Sequence, residues 1–514
     1  MTKLNTALTN QLLTDADRPL IKEVNQSKWL TKGEFRRDVT RIMTALTNVN
    51  IGYHDQVLVC LNNASAYPEL MQALWALGIA VHPVSASTPV AQLLAEWHDQ
   101  DYVAMIIAPD LAGELLAQLA LNITELQLSS MTGLQLLSDT AKLLARRCAP
   151  MAAIQENDLA LILNTSGTTG KPKRVGLTHR MLFNGATHDA KSQQMTTKDT
   201  TLITMPMFHI NAQVISVLAM RLADGKIVIA PKFSASRFWQ QIAENQITWT
   251  SVVPTIISIL LLNKRANEQY HKYAQFLKLR FVRSSSFALP EDKFRAFERR
   301  FNVQILEGYG MTETASQCTI NPFNAPKIGS AGQPYQTEIA FLINGQLTQQ
   351  PYQIGQIAVK GDHVITTYLD VGHDSFKDDW FLTGDLGYFD SDGYLFVKGR
   401  IKEMISRGGE KIAPVTVENE LNHLDFISQV AVIGLPDDIY GEAVTAVIIP
   451  TKDQVHDYEV ERQQIFDYAA EKLARYQRPT QVYFVDRFPL NATGKVVRQQ
   501  LRQQILQQSQ KVAH

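Results

Sequence analysis

Short apolar segments alternate along the chain with segments whose apolar residues recur at helical spacing. Residues 56–61 predict a strand, and residues 67–77 predict the helix that follows it. The alternation recurs in strands at 102–108, 202–205 and 226–230 and in a helix at 238–245. Strands separated by helices are typical of α/β layers with parallel strands. We therefore expect an α/β fold with a large, multi-layered N-terminal domain built on parallel sheets.

The pattern changes after residue 345. Residues 345–395 contain short strands and turn residues such as Asp390-Ser-Asp-Gly393, which predict a β-rich subdomain. Beyond Lys398-Gly-Arg400, the chain predicts a small α+β unit. Its expected elements are helices at 415–424 and 465–476, strands at 430–434, 443–449 and 481–485, and a Gln-rich end that is helical at most.

The composition is that of an ordinary globular protein. At about 150 residues per domain, 514 residues suggest two to four domains. A net charge of −1 gives no reason to expect nucleic acid as a partner. Three separated cysteines (Cys60, Cys148 and Cys318) lack metal-ligand spacing and predict reduced thiols. No signal-peptide segment is visible and no apolar run approaches the ~18 residues of a membrane helix, so we expect a soluble, cytoplasmic protein without a membrane span.

Residues 164–174, Asn-Thr-Ser-Gly-Thr-Thr-Gly-Lys-Pro-Lys-Arg, directly follow an apolar run that predicts a strand. Glycines let the backbone approach a ligand, and successive N–H groups in such a turn form a concavity that binds anions. Hydroxyls and lysines add donors and charge. The segment is not a Walker A loop, because Pro172 stands where that motif has Ser or Thr. A polyphosphate site is the functional interpretation, and a simple Gly/Thr-rich connection is the structural one.

Five further segments place reactive side chains beside turns. Residues 205–210 combine an aromatic ring with His209, and residues 307–313, Glu-Gly-Tyr-Gly-Met-Thr-Glu, offer a phenol, a hydroxyl and a carboxylate. Residues 380–385 end in an aspartate suited to a pair of sugar hydroxyls. Residues 399–414 contain a Gly-Gly pair, and residues 489–495 end in a lysine. Taken singly, these residues have ordinary interpretations: a core histidine, a capping or ion-paired glutamate, a hairpin turn and a solvated lysine.

Together, the six segments resemble those of the adenylate-forming superfamily, which includes AMP-forming acyl-CoA synthetases, adenylation domains of peptide synthetases and firefly-type luciferases. The resemblance covers nearly the whole chain, most densely from Thr165 to Lys495. It implies an N-terminal domain of residues 1–399, a small mobile C-terminal lid domain of residues 400–514, and an active site between them. It also implies two steps: a carboxylate attacks the α-phosphorus of ATP to give an acyl-adenylate and pyrophosphate, and the thiol of coenzyme A then displaces AMP.

The resemblance also implies the nucleotide site, with ATP and Mg²⁺ as expected cofactors. Thr312 would contact phosphate, and Glu313 would help to hold Mg²⁺. Tyr309 would pack on adenine, and Asp385 would accept hydrogen bonds from the ribose, with Arg400 nearby. The 164–174 loop would hold the β- and γ-phosphates. The other residues expected at the nucleotide are Thr165, Ser166, Gly167, Thr168, Thr169, Gly170, Lys173, Ser286, Phe287, Glu307, Gly308 and Gly310.

The resemblance further implies a moving lid. Lys495 would bridge the α-phosphate and the attacking carboxylate during adenylation. Rotation about Lys402 would then remove Lys495 and bring residues 406–410 to the pantetheine channel, where Gly408 and Gly409 leave room for the thiol arm. His209 would lie between that channel and the acyl pocket. One site would thus run two reactions by changing its lid.

Two segments depart from the family pattern. Arg174 stands where the family commonly has glycine, and we expect it to add charge beside the phosphates. Residues 284–289, Ser-Ser-Ser-Phe-Ala-Leu, stand where many members have Ser-Gly-Gly-Ala-Pro-Leu, so the bulky Phe287 changes the surface near adenine. Neither departure removes a catalytic group.

The acyl pocket is expected to draw on His209, Asn211, residues 253–256 and Arg283. Asn211 and Arg283 either favour an acid with a second polar or carboxylate group or serve the fold alone. The segment around His209 resembles members that act on small or medium acids, including carnitine-type and oxalate-type synthetases.

Three functions stay open at this point. The leading one is an AMP-forming acyl-CoA synthetase that uses a carboxylic acid and coenzyme A. The second is a stand-alone adenylation enzyme that loads the phosphopantetheine of a carrier protein, because both acceptors present the same thiol arm. The third is a non-catalytic, nucleotide-binding relative. The intact set of expected catalytic residues favours an enzyme.

Overall fold

The computed structural model describes residues 1–145, 153–165, 173–370, 375–451, 455–491 and 495–512. Within these residues, the predicted α/β alternation is confirmed, because two large sheets have parallel strands at their centres. The strand predicted at 56–61 is Gln56–Leu61, and the helix after it is Ala66–Ala76.

A nine-stranded sheet carries three of the candidate motifs. Its six central strands run parallel, and the three outer strands are antiparallel to their neighbours. Parallel strands bring their carboxyl ends to one edge, where ligands of α/β proteins commonly bind. The segments after Ile203, Ser284 and Tyr309 therefore meet at that edge. In spatial order, the strands are Gln333–Pro334, Thr319–Ile320, Gln304–Tyr309, Phe281–Ser284, Trp249–Val252, Thr200–Ile203, Lys226–Ile229, Pro19–Glu23 and Leu30–Thr31.

A seven-stranded sheet carries the two strands that flank the predicted phosphate loop. Four central strands are parallel, and the hairpin formed by the last two is antiparallel. Their near-continuous apolar runs fit strands that are buried on both faces. In spatial order, the strands are Asn122–Leu126, Leu134–Ser138, Tyr102–Ile107, Gln56–Leu61, Ala80–Ser85, Leu159–Thr165 and Lys173–Thr178.

Helices cover these sheets and begin at recognisable caps. Thr31 forms a capping box with Glu34, and the Thr178 side chain accepts a hydrogen bond from Met181 N. The segment after His209 forms a π-helix, Asn211–Leu218, a form often found at functional sites. The α-helices up to residue 301 are Lys3–Leu13, Lys32–Asn48, Ala66–Ala76, Val90–Asp99, Pro109–Leu116, Thr140–Ala145, His179–Ser192, Ala219–Leu222, Phe238–Glu244, Pro254–Leu262, Lys264–Tyr273 and Glu291–Phe301.

The predicted β-rich subdomain is confirmed as a six-stranded antiparallel sheet. Its last strand pairs with the long strand Trp380–Phe389 in a register that sets Asp385 directly opposite Arg400. The sheet therefore brings two expected site residues together through strand pairing alone. Its strands are Gln346–Thr348, Glu338–Ile343, Gly355–Lys360, Phe376–Lys377, Trp380–Phe389 and Leu395–Arg400.

The C-terminal residues form a five-stranded sheet with three α-helices. A hydrophobic core runs from Ile405 to Val482 and is separate from the main core, which ends at Leu395. The boundary at residue 399 stays a prediction. The strands are Ile405–Arg407, Glu410–Ile412, Ile427–Asp437, Gly441–Pro450 and Gln481–Phe484, and the helices are Pro414–Leu421, Tyr458–Lys472 and Arg498–Val512.

One predicted helix differs by at least four residues at each end. The helix expected at 465–476 runs from Tyr458 to Lys472. The Asp457 side chain caps it by accepting from the N–H groups of Glu459 and Val460, and its first turn, Tyr-Glu-Val-Glu, alternates apolar and acidic residues and so lacks helical periodicity.

Among the described residues, no helix combines the length and the apolar character needed to cross a bilayer. Cys60 and Cys318 are buried and form no disulfide within the described residues, and Cys148 lies outside those residues.

Candidate active site

Asp385 is the centre of a buried polar cluster at the sheet edge. It is 5% exposed, and both of its carboxylate oxygens are engaged. The Tyr309 hydroxyl donates to Oδ2 over 2.7 Å, and Nε of Arg400 lies 3.1 Å from Oδ1. The structure thus unites three residues that were expected at the adenosine end of ATP.

Opposing effects act on the Asp385 carboxyl. Burial raises its pKa, whereas Arg400, the Tyr309 hydrogen bond and Lys495 lower it. Burial and the Asp385 charge also raise the pKa of Tyr309 well above its usual value. Tyr309 therefore stays a neutral hydrogen-bond donor, and Asp385 is held ready to accept.

Lys495 approaches this cluster from the C-terminal residues. Its backbone is fixed by two hydrogen bonds with Asn491: Lys495 N donates to Asn491 Oδ1, and Asn491 N donates to Lys495 O, both over 2.9 Å. Burial and the nearby Arg400 charge lower the pKa of Lys495, and Glu403 opposes them. The structure therefore places the lysine within electrostatic range of Asp385 and Arg400.

Glu313 lies in a tight 3₁₀ turn, Thr312–Thr314, and is 8% exposed. The turn requires Gly310, because a Cβ there would meet Ser316 O at 1.8 Å. The Tyr368 hydroxyl donates to Oε1 of Glu313 over 2.9 Å. Burial raises the pKa of Glu313, and its own backbone N–H, Tyr368, Arg400 and Lys173 lower it. A buried carboxylate thus stands within reach of two cations.

The predicted phosphate loop is described only at its ends. Ser166, Gly167, Thr168, Thr169 and Gly170 lie outside the described residues. Thr165 and Lys173 face each other across the hairpin.

The Lys173 ammonium lies 4.3 Å from the centre of the Tyr368 ring and donates to Ser375 Oγ over 3.0 Å. Lys173 and Glu313 therefore share Tyr368 as a neighbour. The Arg174 guanidinium instead donates to the side chains of Gln100 and Gln56.

His209 is largely buried at the start of the π-helix segment. Its ring centre lies 4.2 Å from that of Phe208, and its Nε2 atom is buried without a hydrogen-bond partner among the described residues. Burial lowers the pKa of His209 to about 4, so the imidazole is neutral at physiological pH. It can pack against a substrate or offer one hydrogen bond, but it carries no charge there.

A buried polar wall follows His209. Nδ2 of Asn211 donates to Ser285 Oγ over 3.0 Å, and Nη1 of Arg283 donates to the same oxygen over 2.8 Å. Nη2 of Arg283 reaches Gln317 Oε1 over 3.3 Å. Arg283 is 1% exposed, and burial lowers its pKa to about 10, against the charge of the buried Asp189. We use the name polar wall for Asn211, Ser285, Arg283, Gln317 and Asp189.

Three polar atoms of the polar wall have no partner. Nε of Arg283, Oδ1 of Asn211 and Oδ1 of Asp189 are buried without a hydrogen-bond partner among the described residues. Buried polar groups are normally hydrogen-bonded, so these atoms mark places where a ligand or a water would be stabilised.

Glu307 connects the residues that were expected beside adenine. Its Oε1 accepts from Leu289 N over 3.1 Å, and burial raises its pKa to about 8. The carboxyl therefore fixes the 284–289 segment against the strand that ends at Tyr309. In that segment, Ser286 has φ +83°, and Phe287 packs against the main core. The Gly308 backbone lies close to Thr319 O.

The expected hinge residue directly follows the Asp385 cluster along the chain, and the expected thiol-channel glycines lie in a separate turn. Lys402 is exposed in a 3₁₀ turn, Ile401–Glu403. Gly408 and Gly409 have φ +59° and +91° and form the turn between two short strands. Gly408 N also donates to Tyr440 O over 2.8 Å, so this hairpin turn is attached to the turn before Gly441. The structure does not bring these glycines to Glu313.

Several residues of the site were missed in the sequence. The Tyr368 hydroxyl donates to Glu313, and Ser375 accepts from Lys173. Near Lys495, Arg498 forms ion pairs with Glu403 at 3.2 Å and with Glu418 at 2.6 Å. None of them belongs to a recognisable motif. Only their packing against expected residues reveals them.

Comparison with known proteins covers both halves of the chain. A family model described as AMP-binding enzyme matches residues 8–369, and one described as AMP-binding enzyme C-terminal domain matches residues 416–495. A protein named sulfoacetate–CoA ligase, from Cupriavidus necator, is 32% identical over 94% of this chain and 94% of its own. A protein named oxalate–CoA ligase, from Saccharomyces cerevisiae, is 35% identical over 67% of this chain and 63% of its own.

A solved structure agrees with this pattern. It is described as o-succinylbenzoate coenzyme A synthetase from Bacillus subtilis in complex with ATP and magnesium ion. It matches with a TM-score of 0.78 and 26% identity, over 96% of this chain and 99% of its own.

Proposed function

We propose that this chain, which belongs to the AMP-binding enzyme family, activates a small carboxylic acid bearing a second acidic or strongly polar group. The reaction class is that of an AMP-forming acyl-CoA ligase: the acid is joined to AMP with release of pyrophosphate, and the acyl group then passes to the thiol of coenzyme A. Sulfoacetate and oxalate, which stand in the names of two relatives, both carry two acidic groups.

The polar wall carries the substrate proposal. A fatty chain would be stabilised by apolar side chains, whereas Arg283 and Asn211 are polar and each keeps one unpartnered buried atom. The charge of Arg283 suits a second carboxylate or a sulfonate, because guanidinium donors match planar or multi-oxygen anions. The buried Asp189 offsets part of that charge, and burial raises its pKa to about 6.

The nucleotide end follows from the Asp385 cluster. Asp385 would accept from the ribose hydroxyls, and Tyr309 would supply a flat ring for adenine. Burial raises the pKa of Asp385, and the Arg400 charge opposes that effect and so favours the ionised acceptor. Thr312 and the 164–174 loop would position the phosphates, with Lys173 at the end of the loop.

Glu313 is the residue suited to Mg²⁺. Magnesium prefers carboxylate oxygens, and Glu313 is a buried carboxylate kept toward its ionised form by Lys173 and Arg400. When bound with ATP, the ion would neutralise part of the negative charge of the phosphates. The chain itself contributes Lys495, whose ammonium would lie between the α-phosphoryl group and the attacking carboxylate.

The lid movement is part of the proposal. Lys402 would serve as the hinge, and the turn at Gly408 and Gly409 would reach the thiol channel in a second orientation of the C-terminal residues. His209, neutral at physiological pH, would separate the acyl pocket from that channel. A cytoplasmic location stays a prediction from the sequence.

Acid-dependent release of pyrophosphate tests the proposal. Oxalate, sulfoacetate, malonate and succinate would be compared with acetate and hexanoate, with and without coenzyme A. We expect two-acid substrates to be preferred and thioester to form only with coenzyme A present. Pyrophosphate release that never leads to a thioester would contradict the acyl-CoA ligase, and acyl transfer to a holo-carrier protein alone would establish the carrier-loading alternative.

Arg283→Lys tests the polar wall itself. The kcat/KM ratio between two-acid and one-acid substrates should fall about 10- to 100-fold, since a hydrogen bond to a charged group is worth about 1.5–3 kcal/mol. Arg280→Lys is the matched control, because Arg280 pairs with Asp199 at 2.9 Å and lies outside the polar wall. Equal loss on both substrate classes would show that Arg283 serves the fold alone.

A further inference from the structure

Two histidines and an aspartate meet behind the polar wall. His188 lies on the helix His179–Ser192, and Asp362 and His363 follow the strand Gly355–Lys360. One ligand atom from each residue lies within 4.8 Å of the other two. Asp362 Oδ1 is 3.4 Å from Nδ1 of His363 and 3.8 Å from Nε2 of His188, so one carboxylate oxygen faces both rings.

The hydrogen bonds of His363 define which nitrogen is available. Its Nε2 lies 3.1 Å from Gln317 O, and a carbonyl oxygen only accepts, so Nε2 carries the proton. Nδ1 of the neutral ring then offers a lone pair on the side of Asp362. A backbone carbonyl that holds the distal N–H of a histidine is the usual support for a metal-binding imidazole.

His188 lacks ordinary partners. Its Nδ1 is buried without a hydrogen-bond partner among the described residues, and its Nε2 is too far from Asp362 for a hydrogen bond. The residue is 9% exposed, and its ring packs edge-on against His363 with centres 4.9 Å apart. A cation between the rings and the carboxylate would give Nε2 of His188 a partner on the side of Asp362.

We propose that His188, Asp362 and His363 form a binding site for one divalent transition-metal ion of the zinc type. Zinc bonds of about 2.0–2.2 Å in tetrahedral geometry set ligand atoms about 3.3–3.6 Å apart. The two distances from Asp362 Oδ1, 3.4 and 3.8 Å, need only a small contraction. The two imidazole nitrogens lie within 4.8 Å of each other and would approach by up to about 1.5 Å on binding. Two imidazoles favour zinc, cobalt or nickel over magnesium, so this site differs from the one that would serve ATP. Asp362, whose side chain is 55% exposed, leaves an entry path and a solvent position.

The proposed metal site would stiffen the support of the active site. The ion would tie the helix of His188 to the segment that starts at Asp362. In that segment, His363 donates to Gln317 O, and Ile365 N donates to Glu313 O over 2.9 Å. Gln317 belongs to the polar wall, and Glu313 is the residue expected near the phosphates and Mg²⁺. One ion would therefore restrain the backbone that carries each of them.

Cobalt binding to untagged, chelator-treated protein without ATP tests the proposal. We expect one equivalent of Co²⁺ to give the intense visible d–d bands typical of a four- or five-coordinate ion. Added Zn²⁺ should displace the cobalt and remove these bands. Asp362→Asn and His188→Gln should weaken binding at least about tenfold. The control, His271→Gln, changes an exposed histidine elsewhere and should bind as the original chain does.

Asp362→Asn keeps the test decisive if His188→Gln fails to fold, because the half-exposed Asp362 is replaced by a side chain of the same shape. The melting temperature should rise with Zn²⁺ in the original chain and in the control, but not in Asp362→Asn. Absence of stoichiometric Co²⁺, or equal binding by Asp362→Asn and the original chain, would overturn the proposal.

Discussion

Removing the Tyr309 hydroxyl tests how much its hydrogen bond to Asp385 contributes to the stability of the protein. In Tyr309→Phe, the ring still packs beside the core, but Oδ2 of Asp385 loses the donor that lies 2.7 Å away. Arg400 still pairs with Oδ1 at 3.1 Å. The change therefore isolates one hydrogen bond to a carboxylate that is only 5% exposed.

The expected loss is about 1.5–3 kcal/mol in the free energy of unfolding, the range for a hydrogen bond to a charged group. At roughly 2 °C per kcal/mol for a large domain, the melting temperature of the ligand-free protein should fall by about 3–6 °C. The matched control is Tyr352→Phe, in which the lost hydroxyl is exposed and faces Ser391 Oγ at 3.2 Å. Its stability should change by less than about 0.5 kcal/mol.

Thermal unfolding with and without a non-hydrolysable ATP analogue completes the test. If ribose hydroxyls donate to Asp385, they replace part of what Tyr309 supplied. The analogue should then stabilise Tyr309→Phe more than it stabilises the original chain. A ligand-free Tyr309→Phe as stable as Tyr352→Phe would refute the energetic argument, and an equal gain on ligand addition would refute the contact between Asp385 and ribose.

Three further changes probe charge and movement. Lys495→Ala should slow adenylation by about 10²–10³-fold, measured by acid-dependent pyrophosphate exchange, yet spare thioester formation from preformed acyl-adenylate. Lys402→Pro should do the reverse by restricting the hinge backbone, and equal loss of both half-reactions in both variants would contradict a two-orientation lid. Glu307→Gln should remove a pH dependence of stability. Burial raises the pKa of folded Glu307 to about 8, so the folded state keeps a proton that the unfolded state loses. The original chain should therefore lose up to about 1.4 kcal/mol per pH unit, relative to Glu307→Gln, as pH rises from about 4.5 to 8. Denaturant titrations at several pH values measure this difference, and parallel curves would contradict the burial argument.

The fold was predictable where the hydrophobic pattern of a segment reflects its burial in the structure. Runs such as Gln56–Leu61 are apolar because they are covered on both faces, so their identity as strands is visible without any tertiary information. The helix Tyr458–Lys472 was misplaced because its first turn, Tyr-Glu-Val-Glu, lacks helical periodicity and depends on the Asp457 cap. The π-helix after His209 has no distinct sequence signature, since its residues would suit an α-helix equally well.

The site was predictable only where a motif carried it. Asp385 and Arg400 belong to motifs, but their partnership depends on a strand register that motif spacing does not encode. Tyr368 is one aromatic residue in an unremarkable segment and acquires its role by packing between Glu313 and Lys173. Glu307 lies within a motif, yet its carboxyl is committed to Leu289 N.

The charges around Lys495 suggest why its position would depend on the nucleotide. Arg400 and Arg498 lower the pKa of Lys495, while Glu403 and Asp385 oppose them. The ammonium is therefore buried beside like charges, which Glu403 and Asp385 offset in part. On the proposed function, a bound triphosphate would add several negative charges here and favour the orientation in which Lys495 lies beside Asp385, and departure of pyrophosphate would remove them. Nucleotide charge alone would thus bias the lid toward the orientation that each half-reaction needs, and high ionic strength should weaken that bias.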